Sequence, residues 1–156
     1  MNTGPDENGG RRLAYSAMTI SIHDHRVREL TILAAERTIR LVTGYPDMTG
    51  PERAEAFFEG VEAYAFNGDA LGTVLFDIEA QDPVALYREW ATQMRQTYSK
   101  SGGHAPWVAS DSEAVAFLSR GDIRGYRVSS SIGLEGAVWA RGLTVRAERI
   151  SPLDVW

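Results

Sequence analysis

The tripeptide Asn67-Gly68-Asp69 stands between two apolar runs, Glu52 to Phe66 and Thr73 to Ile78, and limits the fold more than any other feature of the chain. Glycine after asparagine accepts the positive φ of a tight turn, so the second run is expected to pair back on the first as a hairpin. The first run is ambiguous by itself. Ala54, Phe57, Phe58, Val61 and Ala65 fit a helical stripe behind Pro51, whereas Glu55, Phe57 and Glu59 followed by Val61, Ala63 and Ala65 fit a strand that shifts face at Gly60. The strand is the preferred form.

Other segments repeat the alternation. Leu30 and Ile32 alternate with Glu29 and Thr31, Ile39 and Leu41 alternate with Arg40 and Val42, and Ala34 to Arg37 joins the two as a hairpin. Thr43 to Pro51 carries two glycines and two prolines and is expected to be a loop long enough to rim a site. Further strands are expected at Tyr126 to Val128, Ala137 to Trp139 and Leu143 to Val145, separated by Gly133, Gly136 and Gly142.

Two helices interrupt this pattern. Asp82-Pro83 pairs a capping side chain with proline at the first helical position, and Leu86, Tyr87, Trp90, Ala91, Met94 and Tyr98 recur at helical spacing until Gly102-Gly103. The aromatic members of that stripe are expected in the core. Ser110-Asp111-Ser112-Glu113 is a capping box opening a short helix that ends at Gly121. The sum is an α+β fold: a single domain with a largely antiparallel sheet of about six to seven strands, one long helix and one short. Residues 1–17 lack apolar periodicity and are expected to be disordered, with residues 18–156 forming the domain.

Composition narrows the function. The 156 residues include no cysteine, which excludes disulfides, thiolate nucleophiles and Cys-type metal sites and suits the cytoplasm. No apolar stretch approaches the roughly 18–20 residues needed to span a bilayer, and nothing resembles a signal peptide, so no membrane partner is expected. A net charge of −5 opposes nucleic-acid binding and suits a basic protein partner.

Imidazole chemistry concentrates at His23-Asp24-His25, which holds two of the three histidines. In an extended segment His23, His25 and Glu29 share one face, a spacing that resembles part of the cupin metal motif. The second cupin motif is missing, Glu36 stands where that motif has glycine, and completing a site needs His104 or a distant carboxylate. Alternatively, the cluster is a strand entrance with Asp24 accepting backbone N–H bonds, or, with Trp107, part of a partner surface. A small-molecule site lined by Tyr45 and Trp107 is a further option. The Ser129 to Gly136 stretch lacks both the P-loop lysine and the nucleophile elbow, and a hairpin turn accounts for it. Asp77 and Glu79 share a strand face, as solvated carboxylates or as an acid pair if a cleft encloses them.

Three phrases, His23 to Val27, Phe58 to Tyr64 and Tyr126 to Gly136, resemble small uncharacterised bacterial families, some of them grouped with the immunity proteins that neutralise polymorphic toxins. The resemblance implies a non-enzymatic α+β module in a bacterial cytoplasm with a basic, toxin-like partner, and it carries no catalytic residue or cofactor. A metal-dependent enzyme using His23, His25 and Glu29 is the alternative.

Overall fold

A computed structural model describes residues 11–14, 20–44, 52–68, 72, 74–101 and 105–149. Its strands are β1 (Arg11–Ala14), β2 (Ile20–Leu33), β3 (Thr38–Gly44), β4 (Glu52–Asn67), β5 (Val74–Gln81), β6 (Arg124–Ile132) and β7 (Glu135–Arg149). Helix α1 (Pro83–Ser101) and helix α2 (Asp111–Leu118) lie between β5 and β6, joined through a 3-10 turn at Pro106–Ala109.

All pairings are antiparallel, in the order β1-β7-β4-β3-β2-β5-β6, and β6 also pairs with β7. That last pairing closes β4, β3, β2, β5, β6 and β7 into a ring, with β1 added on the far part of β7. The inward side chains make one core, including Ile39, Phe58, Ile78, Tyr126, Val138 and Val145. Phe58 and Tyr126, on strands that are not neighbours in the ring, meet edge to face at 5.5 Å, which shows that the interior is filled by side chains.

The helices cover the outside of the ring. Leu86, Tyr87, Ala91 and Met94 of α1 form a second core with Ala137 and Trp139 on the outer face of β7 and Ala65 on β4. Both helix starts follow the capping rules. Asp82 Oδ1 accepts the Ala85 N–H at 2.8 Å, and Ser110 Oγ accepts the Glu113 N–H at 3.2 Å. No helix among the described residues is long and apolar enough to cross a membrane.

Four expectations change. Arg11–Ala14, placed in the disordered segment, instead pair with Thr144 to Ala147 of β7. Gly142 interrupts nothing, because its φ is unexceptional and β7 runs through it as one 15-residue strand. Trp107 sits on the 3-10 turn rather than in an open loop. Most consequentially, β5 does not pair with β4. It inserts between β2 and β6, where both of its edges are paired and Ile78 enters the ring core.

The strand reading of Glu52 to Phe66 holds, with its change of face. Gly60 has φ 60°, and the ladder with β7 shifts between Val61 and Ala63. Val61 belongs to the ring interior, whereas Ala63 and Ala65 pack toward the helices.

On the outer face of β3, Arg40 donates to Glu55 at 3.0 Å and to Glu29 at 2.9 Å. The hydrogen bond from Arg40 holds the Glu55 carboxyl below its ordinary pKa; burial opposes this, and Arg40, Arg53 and Arg146 reinforce it by charge. Unfolded Glu55 binds a proton at higher pH than folded Glu55. The pair therefore stabilises fully above the ordinary glutamate range, and this contribution disappears as pH falls through the depressed value. Glu55→Gln is expected to lose less than about 1 kcal/mol at neutral pH, since both groups are partly solvated. Its urea midpoint should converge on the parent's in acid; a gap independent of pH would contradict the assignment.

Candidate binding groove

The histidine cluster is not assembled as its spacing suggests. Register shifts between Val27 and Glu29 against β3, so one extra residue reverses the phase of β2. His25 turns inward, with Nδ1 2.9 Å from the buried Thr43 hydroxyl. Glu29 turns outward to Arg40 and accepts from the Thr31 hydroxyl at 2.8 Å. The shared face that would join His25 and Glu29 on one metal is therefore absent. His23 and Asp24 lie on β2, but their side chains fall outside the described residues, as do His104 and Tyr45 altogether. Among the described residues no three His, Asp or Glu side chains are placed to hold a metal ion.

Trp107 has little surface for a partner. It is 7% exposed, stacks on Phe117 at 5.1 Å and meets the edge of Tyr87 at 6.1 Å. Its indole N–H has no hydrogen-bond partner among the described residues. Asp77 and Glu79 alternate with the inward Ile78, and Glu79 is exposed. The stretch from Ser129 to Gly136 carries the turn from β6 into β7, with Gly133 at φ 97°.

A concave feature lies elsewhere, at the end of the ring where β4 outruns β3. Pairing between them stops at Thr38 opposite Glu59, and the Arg37 carbonyl then accepts the Val61 N–H at 2.9 Å. Beyond that point the β2–β3 turn diverges from β4 and opens a groove of about 470 Å³. One wall is the hairpin tip with Ile32 and Leu33, and the floor is β4 from Ala63 to Phe66. The opposite wall is α1 with Gln93, Met94 and Thr97.

The lining is unusually apolar for an accessible surface. Ile32, Leu33, Tyr64 and Ile132 are the large hydrophobic residues that stand exposed among the described residues, and the first three line this groove. Tyr64 and Phe66 lie 5.6 Å apart and extend the aromatic surface along β4. The polar rim is already paired. Glu62, only 9% exposed at its side chain, accepts from Arg37 at 2.5 Å and from Arg141 at 3.4 Å, and Arg141 also donates to Asp122 at 2.7 Å. Asn67 donates to Gln93 at 3.0 Å, tying the end of β4 to α1. With its charges neutralised in pairs, the groove favours apolar contact over ion capture.

None of these lining residues was identifiable as a site from sequence. The available signal was the adjacent pair Ile32-Leu33 at a hairpin tip, where polar residues are usual. No protein-family model, curated protein or solved structure matches the chain.

Proposed function

We propose that the protein is a non-catalytic cytoplasmic binding module that buries a partner's apolar surface in the groove between the β2–β3 hairpin, β4 and α1. The observation that carries this reading is the gathering of Ile32, Leu33 and Tyr64, all exposed, around one concavity of ligand-binding size. Leaving such side chains in water gains nothing for folding, whereas covering them gives roughly 25 cal/mol per Å² of apolar area removed. An immunity-like role fits the same surface, with the net charge of −5 accelerating encounter with a basic partner.

The test uses 1-anilinonaphthalene-8-sulfonate as an apolar probe of the native protein, with amide chemical-shift mapping. Saturable binding that perturbs β4 and the hairpin tip is expected, and Leu33→Asp with Tyr64→Ser should weaken it at least tenfold. Both positions are exposed, so each change should alter stability by only about 0.5 kcal/mol. Undiminished binding in the double variant, or no binding by the parent, would remove the groove as the functional surface.

A further inference from the structure

The floor of the groove is a strand with one edge that no described strand claims. From Ala63 to Asn67, β4 pairs with β7 from Trp139 to Glu135. Its opposite edge pairs with β3 only as far as Glu59, and Val61 makes the last bond across, to Arg37. No described strand takes up the edge from Glu62 to Asn67, and the Asn67-Gly68 turn does not fold β5 back onto it. Alternate residues of an antiparallel edge direct both N–H and C=O outward, so about three residues of this segment offer donor and acceptor pairs to the groove.

We propose that the groove receives an extended peptide that adds to β4 as a further antiparallel strand, with alternating apolar side chains and basic character. The inference rests on the groove being the binding surface and specifies what enters it. An edge of six residues is about 20 Å long, a better match to an extended backbone than to a compact molecule. Between Ala63 and Phe66 both faces of that edge are apolar. A strand laid along it would send side chains of one parity toward Leu33 and Tyr64 and those of the other toward Met94, above the small Ala63 and Ala65.

The upper half of the same edge shows which sequence it accepts. There β3 places Ile39 and Leu41 opposite Phe58 and Ala56, and Arg40 between them bridges Glu55 and Glu29. A guest strand continues this ladder downward. Net negative charge favours a basic guest. The hairpin tip and α1 flank the edge, leaving room for one strand while hindering the approach of another sheet.

The probe is the acetylated, amidated hexapeptide Thr-Ile-Arg-Leu-Val-Thr, which copies Thr38 to Thr43. Two analogues replace alternate backbone amides by esters, one at the odd positions and one at the even, deleting donors without changing side chains. Labelled-peptide anisotropy and amide exchange are measured on the full chain. The parent peptide should bind saturably and protect amides within Glu62 to Asn67. One ester analogue should bind at least tenfold more weakly, and the other within about threefold of the parent. Equal effects of the two analogues overturn strand addition, as does protection located elsewhere. If the peptide does not bind while the naphthalene probe does, strand addition fails and the groove reading stands. If neither binds, both fail.

Discussion

Replacing Trp139 by alanine is expected to remove about 3–5 kcal/mol of stability, a large share of the 5–15 kcal/mol typical of a domain. Trp139 is fully buried on the outer face of β7, where α1 covers it, and its indole N–H donates to the Pro83 carbonyl at 3.0 Å. The substitution opens a cavity between sheet and helix and removes the indole bond, leaving that carbonyl only its donor within α1. For a chain of this size the melting temperature should fall by roughly 6–20 °C. The matched pair Trp139→Phe and Trp107→Phe separates the two contributions. At Trp139 the phenyl ring fills most of the space but removes the indole bond to Pro83, whose carbonyl keeps its helical donor, costing about 0.5–1.5 kcal/mol beyond the lost volume. At Trp107 the ring keeps its stack on Phe117, and the change deletes an N–H that has no partner among the described residues. That variant should lose less than about 1 kcal/mol. Equal losses at the two sites in urea unfolding would disprove the hydrogen-bond assignment.

Gly68→Ala should be nearly as damaging, by about 2–5 kcal/mol, for two independent reasons. Gly68 has φ 85°, where a Cβ is strained, and that Cβ would lie 2.2 Å from the Gly133 carbonyl oxygen. Neither the β4 turn nor the β6–β7 turn can yield without disturbing the ladder between β4 and β7. Gly142→Ala is the control. Its Cβ would meet nothing within 4 Å and its φ is unexceptional, so neutrality or a gain of up to about 1 kcal/mol is expected from reduced unfolded-state freedom. Comparable destabilisation of both variants would show that the turn contact does not constrain the fold.

What was legible in the sequence was local. Asp82-Pro83 and Ser110 to Glu113 mark helix starts by cap chemistry that acts within four residues, and both helices begin there. The Ala34 to Arg37 hairpin and the change of face near Gly60 are likewise short-range. The closure of the ring depends on β2 meeting β5 and on β7 meeting β4, pairings between distant segments that no local signal encodes. Gly68 takes a positive φ, yet β5 pairs with β2 and β6 rather than back onto β4, a choice that these local residues do not encode. The bulge that parts His25 from Glu29 carries no glycine or proline to announce it. Nor did the composition of the groove reveal it, because hairpin tip, strand and helix meet there only after long-range pairing is complete.

Strand β7 is shared by three partners, β1, β4 and β6, and it comes last in chain order among the described strands. Until it leaves the ribosome, β4 lacks a neighbour along one whole edge and the β6 ladder to β7 cannot form. Ring closure therefore requires this 15-residue strand, however quickly the hairpins before it form.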